Sequence, residues 1–261
     1  MALSRDQLSR ITISGFKSIK RCDIKFRKVN VLIGSNGAGK SNFISAFTLL
    51  QNILSQNLQV FVAQSGMNSL FYNGRKVTDE IDFEVYFGNN SYGFVLIPTD
   101  DNRLIFRKEY FGYHGQWENE SNVSRGSMES QWQTGAHNNI DEYVIPILEK
   151  QNWRVLMNDA GNLAAFLFRL KSNYEKSYEE IVRTIQLIAP YFADFVLEPQ
   201  EGNEEQIVLK WRQKGCEDIF NASQLSDGTL RFICLATLLL QPHELQPATI
   251  IVDEPELGLH P

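Results

Sequence analysis

The most informative stretch of this sequence is Gly34-Ser35-Asn36-Gly37-Ala38-Gly39-Lys40-Ser41, which fits the pattern G-x-x-x-x-G-K-[ST]. The preceding residues, 29–33, are nearly all apolar, as in a buried central strand of an α/β sheet. In the residues that follow, 41–56, large apolar side chains recur at the spacing of one helical face: Phe43, Phe47, Leu50 and Leu54. The sequence therefore predicts a strand, a glycine-rich loop and a helix in succession.

The residue types in this loop suit the binding of a nucleotide. Glycines allow backbone N–H groups to converge on phosphate oxygens, and the following helix points its positive end at the anion. We expect residues 34–42, from Gly34 to Asn42, to hold ATP. Lys40 should reach the β- and γ-phosphates, and the Ser41 hydroxyl should bind Mg²⁺. The alternative, a chance glycine-rich turn, is disfavoured by the strand and helix on either side.

A second motif places two acids after an apolar run, at residues 250–254. Residues 250–252, Ile-Ile-Val, have the composition of a buried strand, and Asp253 and Glu254 follow at its carboxyl end. Asp253 would hold Mg²⁺ through water, opposite Ser41, and Glu254 would be the general base that polarises the attacking water. Taken alone, the motif fits an acidic strand-to-loop turn equally well, but the upstream loop favours the catalytic interpretation.

A third motif, Leu-Ser-Asp-Gly-Thr at residues 225–229, precedes an apolar helix predicted over residues 230–240. Ser226 or Asp227 can cap the start of this helix by accepting hydrogen bonds from its free N–H groups. On its own, the helix cap is the simpler interpretation. The position of the motif, shortly before the acidic strand, favours an additional role.

Together these motifs resemble those of ABC-type ATPase heads of the SMC, RecF and OLD-like kind. Residues 225–229 resemble the LSGGQ-type signature, with Asp227 at a usual glycine position and Thr229 in place of glutamine. Residues 13–18, Ile-Ser-Gly-Phe-Lys-Ser, are similar to the N-terminus of RecF and SMC heads. Residues 253–261 are similar to the DEPE-x-x-LHP form of OLD-like "AAA family" ATPases. The resemblance covers most of the chain.

The resemblance implies an α/β fold of the P-loop NTPase class, with an antiparallel β lobe and an inserted helical lobe. Two heads would form a homodimer that sandwiches two nucleotides, so that the Ser226 hydroxyl and Gly228 backbone of one head contact the γ-phosphate held by the other. Lys17 would contact the phosphates, although an exposed lysine at a strand edge is equally common. Beyond Pro261 the resemblance implies a further strand and a switch residue, so we expect a truncated chain.

The pattern along the chain predicts a single domain over residues 1–261. Its P-loop core would comprise residues 1–60 and 205–261, with an antiparallel sheet at 75–112, a flexible loop at 113–139 and a helical lobe at 140–200. Strands are predicted at 11–13, 22–26, 81–87, 92–97, 104–111 and 206–211. Helices are predicted at 140–150, 162–171 and 178–189, in addition to the two already named.

Composition narrows the class of protein. With 261 residues, 43% hydrophobic content and a net charge of −6, the chain is expected to be a soluble globular protein, and not a general nucleic-acid coat. The longest apolar run, residues 232–240, is far below the roughly 20 residues that span a bilayer, so we expect a cytoplasmic protein without a membrane partner. Three scattered cysteines and four histidines without ligand spacing predict neither a disulfide framework nor a transition-metal site.

Two functional classes remain in view. The first is an ATPase driven by head engagement, in DNA repair or phage defence by analogy alone. The second is a nucleotide-gated module that dimerises on ATP without fast turnover and signals to a partner protein. A P-loop kinase or GTPase is disfavoured, since the chain has no N-K-x-D-like guanine motif and this class leaves residues 225–229 unexplained.

Overall fold

Residue contacts divide the chain into two units, Met1–Asn152 with Ala248–Asp253, and Trp153–Pro247 with Glu254–Pro261. The structure, a computed structural model, describes residues 7–116, 118–133, 161–200, 203–246 and 250–252. The helix predicted at 140–150 lies outside these ranges. The subdivision predicted from the sequence remains a prediction.

The first unit is built on a six-stranded sheet in the order β2-β1-β3-β4-β5-β6, with every neighbouring pair antiparallel. Its strands are β1 (Arg10–Phe16), β2 (Ile19–Lys25), β3 (Ile81–Phe87), β4 (Asn90–Pro98), β5 (Leu104–His114) and β6 (Glu118–Ser124). Apolar residues alternate with polar ones along β1 and β3, so one face of the sheet is buried. The predicted antiparallel meander is confirmed.

Strand β6 corrects the sequence prediction, which placed residues 118–124 in a flexible loop. The segment Glu-Asn-Glu-Ser-Asn-Val-Ser is too polar to be identified as a strand from its composition. It forms one because it pairs with β5, and it is the last strand of the sheet that the described residues form.

Among the described residues of the first unit, three helices accompany the sheet: α1 (Lys40–Leu54), α2 (Leu58–Ser65) and α3 (Met67–Leu70). Their buried side chains belong to the same hydrophobic cluster as the inward residues of the sheet. The helix predicted after the glycine-rich loop is therefore confirmed, and its apolar stripe is what holds it in the core.

The structure corrects the prediction of apolar strands at residues 29–33 and 250–252. Neither segment is a strand, and most of their side chains are exposed, as in Ile33 (92%), Val29 (81%) and Val252 (42%). An extended segment becomes a strand only by hydrogen bonding to a neighbour, and within the described ranges neither segment has a neighbouring strand. Apolar composition predicts a preference for burial, but it does not supply the partner.

The described residues of the second unit form three α-helices and several short strands. The helices are α4 (Leu163–Asn173), α5 (Glu175–Ile188) and α6 (Asp227–Leu240), and the strands are β7 (Phe192–Val196), β8 (Pro199–Gln200), β9 (Asn203–Ile207), β10 (Lys210–Gln213) and β11 (Ile219–Asn221). β11, β10 and β7 form one sheet, and β8 and β9 form another. The predicted helices are confirmed, whereas the strand predicted at 206–211 is divided between β9 and β10. In the part of the chain that is described, no helix combines the length and the apolar character needed to cross a membrane.

Gly15, near the end of strand β1, has φ 76° and leaves no room for a side chain. A Cβ there would lie 2.3 Å from the Glu80 carbonyl oxygen. Gly126 is a matched control, because it has φ 77° and open space around the same position. Substituting each glycine by alanine therefore separates the free-energy cost of the left-handed backbone from that of the steric clash.

We predict that Gly126→Ala costs about 1 kcal/mol of unfolding free energy, from the backbone conformation alone. Gly15→Ala should cost roughly 3 kcal/mol or more, because the backbone must also move away from Glu80. Urea denaturation of both variants checks this. Equal losses for the two would contradict the steric role of Gly15.

Candidate nucleotide-binding site

The glycine-rich loop adopts a backbone that requires glycine at two positions. Gly37 and Gly39 have φ 83° and 93°, in the left-handed region. The Ala38 N–H donates to the Ser35 carbonyl oxygen at 3.1 Å and closes the loop between them. Residues 34–38 are exposed, so the loop faces solvent where a ligand can approach.

Helix α1 begins directly after the loop, with Gly39 at its cap position. Gly39 has no side chain to accept from the first-turn N–H groups, and the first turn carries no acidic residue. The unsatisfied N–H groups and the helix dipole together favour an anion at this end of α1.

Lys40 is folded back onto the loop. Its ammonium group donates to the Gly34 carbonyl oxygen at 2.5 Å and to the Ser35 carbonyl oxygen at 3.0 Å. The charge is therefore held against the loop that would receive the phosphates. The Ser41 side chain, one residue further, is exposed.

The turn between β1 and β2 lies beside the first turns of α1. The Lys17 ammonium group donates to Ser45 Oγ at 2.6 Å, and the Ser18 hydroxyl accepts from Asn42 Nδ2 at 2.8 Å. Ser45 is four residues after Ser41, so both lie on the same face of α1, one helical turn apart. The structure thus brings Lys17 close to the residue predicted to bind Mg²⁺.

Lys17 itself is constrained. It has φ 48°, which is uncommon for a residue other than glycine, and its N–H donates to the Leu70 carbonyl oxygen at 2.8 Å. Its ammonium group is 5.6 Å from the Phe16 ring centre. Burial lowers the pKa of Lys17 below its ordinary value, so part of the hydration of this charge has been replaced by protein groups.

Ser18 and Ser45 were not identified as site residues from the sequence. Ser18 adjoins Lys17 in the 13–18 motif, and Ser45 follows Ser41 at i+4, so both had a recognisable position. What the sequence does not reveal is that the β1–β2 turn reaches α1. That placement depends on the backbone pairing of the turn with residues 70–72, including the Tyr72 N–H to Gly15 carbonyl bond at 2.9 Å.

In the second unit, Ser226 caps helix α6. Its side chain accepts from the Thr229 N–H at 3.1 Å, and the two hydroxyls are 2.9 Å apart. Gly228 is buried in the first turn, whereas Ser226 is exposed. The helix cap considered from the sequence is therefore present, and a further role of Ser226 and Gly228 toward a second nucleotide remains a prediction.

Asp253 and Glu254 lie outside the described residues, and their roles remain predictions. Within the described ranges, no group of three or more His, Cys, Asp or Glu side chains could hold a metal ion. The Ser41 hydroxyl is the predicted Mg²⁺ ligand that the structure does describe.

Comparisons with known proteins identify the family. Residues 29–261 match the family model described as "AAA domain, putative AbiEii toxin, Type IV TA system". Among curated proteins, none matches the sequence.

Two solved structures of SMC ATPases are similar at low identity. The SMC head domain from Thermotoga maritima is 16% identical, with 90% of this chain and 74% of that chain covered and a TM-score of 0.33. A structure from work on ATP-driven dimerization and DNA-stimulated activation of SMC ATPases is 16% identical, with 62% and 90% covered and a TM-score of 0.28. Both scores are low, so the assignment rests on the family match. The expected resemblance to ATPase heads of the OLD-like "AAA family" is confirmed, and this chain belongs to the family of AAA domains described as putative AbiEii toxins of type IV toxin–antitoxin systems.

Proposed function

We propose that the chain binds ATP with Mg²⁺ at residues 34–42 and hydrolyses it. The observation that carries this proposal is the loop itself: two left-handed glycines, a lysine ammonium held against the loop, and a helix that starts without a side-chain cap. These features supply backbone N–H groups, a positive charge and a helix dipole around one exposed position. The family of AAA domains to which the chain belongs supports the same activity.

Each residue then has a role in the proposed reaction. The backbone of Gly34 to Asn42 surrounds the phosphates, and Lys40 leaves the loop carbonyls to bind the β- and γ-phosphate oxygens. Ser41 and Asp253 would hold Mg²⁺, which would neutralise part of the phosphate charge. Glu254 accepts a proton from the water that attacks the γ-phosphorus, so that the P–O bond to ADP breaks as the new bond forms.

Removing the Lys40 charge should abolish tight binding. We predict that Lys40→Met raises the dissociation constant for a non-hydrolysable ATP analogue with Mg²⁺ about 10- to 100-fold, because a charge-assisted hydrogen bond to phosphate is lost. Isothermal titration calorimetry measures this. Lys25→Met is the control, since Lys25 is an exposed lysine on β2. Equal affinities of the two variants would refute the proposed site.

Lys17 is proposed as a second phosphate contact, because its ammonium group lies one helical turn from Ser41 on the same face of α1. We predict that Lys17→Met weakens analogue binding about 5-fold, as expected for a partly exposed charge pair, and that Lys17→Arg restores most of the affinity. The same titration checks both. If Lys17→Met and Lys25→Met bind the analogue with the same affinity, Lys17 does not contact the phosphates and has a structural role alone.

Ser226 and Gly228 are proposed to act in trans, within a homodimer of two heads. The exposed Ser226 hydroxyl stands at the start of α6, where a helix dipole favours an anion. A complete site would then need the loop of one chain and the Ser226 region of another.

A mixing experiment tests the trans arrangement. Ser226→Asp keeps a good helix cap but brings a negative charge to the phosphate, so this variant and Lys40→Met should each release little phosphate from ATP. We predict that mixing them restores part of the wild-type rate, because a mixed dimer contains one intact composite site. Two variants that stay inactive when mixed, beside an active wild type, would exclude the trans mechanism.

Measurement of phosphate release also tests the competing function, a nucleotide-gated module. It would bind ATP and dimerise, yet wild type and Glu254→Gln would release phosphate equally slowly. The family description names a putative toxin, which favours a defence-type output over DNA repair. A partner protein or DNA as the recipient of that output is a proposal by analogy.

A further inference from the structure

Residues 128–132, here called the strap, follow β6 and lie near the end of the described range 118–133 of the first unit. The strap hydrogen-bonds to the sheet on one side and to the helices on the other. Its contacts join residues about 20 to 80 positions apart in the sequence, so they are tertiary contacts, not features of a local turn.

On the sheet side, the strap satisfies the Glu109 carboxylate, which is completely buried. One oxygen accepts from Tyr92 Oη at 2.7 Å and from Ser130 Oγ, and the other accepts from Ser124 Oγ at 2.7 Å and the Gln131 N–H at 2.9 Å. A buried carboxylate is costly unless it is hydrogen-bonded, and the strap supplies two of these four donors. Burial, and then the charge of Glu109, raise the pKa of Tyr92 well above its usual value, so Tyr92 remains a donor.

On the helix side, the strap holds the junction between α1 and α2. Trp132 is 1% exposed, and its indole N–H donates to the Leu54 carbonyl oxygen, in the last turn of α1, at 3.1 Å. The Gln56 amide donates to the Ser130 carbonyl oxygen at 2.7 Å. The Glu129 carboxylate accepts from the N–H groups of Leu58 and Gln59, at 2.9 and 3.0 Å, and so caps α2.

These contacts give the strap a discrete docked state. If it left, Glu109 would lose two donors inside the core and α2 would lose its cap, so intermediate positions are unfavourable. Helix α1 connects this state to the loop, because it runs unbroken for 15 residues, about 22 Å, from Lys40 to Leu54. A close-packed helix transmits a displacement at one end to the other end.

We propose that the strap is a coupling element: nucleotide at residues 34–42 stabilises its docked state, and the docked strap in turn raises nucleotide affinity. The proposal rests on the proposed function, since it needs a ligand at the loop. Coupling between two sites is reciprocal, so each direction can be measured separately.

Hydrogen exchange on the full chain tests the first direction. Three amides report the docked strap: Gln131, bonded to Glu109, and Leu58 and Gln59, bonded to Glu129. With a non-hydrolysable ATP analogue and Mg²⁺, we predict that the exchange rate of these amides falls at least about 5-fold relative to the free protein. Binding seen by calorimetry, with unchanged exchange at these amides, overturns the coupling but not the proposed function. Absence of binding overturns both.

Matched tryptophan variants test the second direction. Trp132→Phe keeps an aromatic ring but removes the bond to Leu54, and should weaken analogue binding about 3- to 10-fold. Trp211→Phe is the control: Trp211 is 4% exposed in the second unit, and its indole N–H also donates to a backbone carbonyl, that of Asn221, at 3.2 Å. Equal effects of the two variants overturn the proposal.

A second, less disruptive substitution tests the proposal if Trp132→Phe does not fold. Gln56 has φ 59°, which asparagine tolerates, and the asparagine side chain is too short to reach the Ser130 carbonyl oxygen. Gln56→Asn should therefore loosen the strap without a core defect, raise exchange at Gln131 and weaken analogue binding. Faster exchange at Gln131 with unchanged affinity would overturn the coupling.

Discussion

The packing of helix α1 against the six-stranded sheet is the interaction on which the rest of the first unit depends. Ala46, Leu49 and Ile53 are completely buried on its inner face, and burying each of the two larger side chains contributes about 2 kcal/mol. This packing sets the direction of the helix axis. The glycine-rich loop then lies at the first end of α1 and the strap at its last turn. The buried apolar side chains of α1 therefore determine the positions of both.

A chain with a net charge of −6 can still present a local site for a polyanion. Lys40 is held by loop carbonyls and Lys17 by Ser45, so two ammonium groups are placed beside the start of α1 by neutral partners. Carboxylates paired with these lysines would compete with phosphate for the same charges. Neutral oxygens orient the lysines and leave most of their field available to a ligand.

The local features of the fold were predictable from the sequence, and the long-range ones were not. Period-two alternation identified β3, and period-3.6 spacing identified α1, because both signals are contained within one element. Strand β6 escaped detection because its pairing with β5, not its composition, makes it a strand. Residues 29–33 were expected to be buried because they are apolar, yet burial requires a neighbouring strand that composition does not specify.

The site shows the same division. The loop motif predicted Lys40 and Ser41, whereas the contacts of Ser18 with Asn42 and of Lys17 with Ser45 depend on how a distant turn approaches α1. The burial of Glu109 could not be predicted from the sequence for a different reason. A register shift between β4 and β5 at Val95 and Leu96 changes which residues of β5 face inward. Leu104 and Phe106 are buried before the shift, and Glu109 is buried after it.

The strap also determines where the first unit can be cut for expression by itself. The last strand of the sheet ends at Ser124, and a fragment designed from strand boundaries would stop there. Such a fragment would lack Ser130 and Trp132, leaving a carboxylate short of donors in its interior and an indole-sized void beside α1. A usable boundary therefore lies beyond Gln133, more than nine residues after the end of β6 at Ser124.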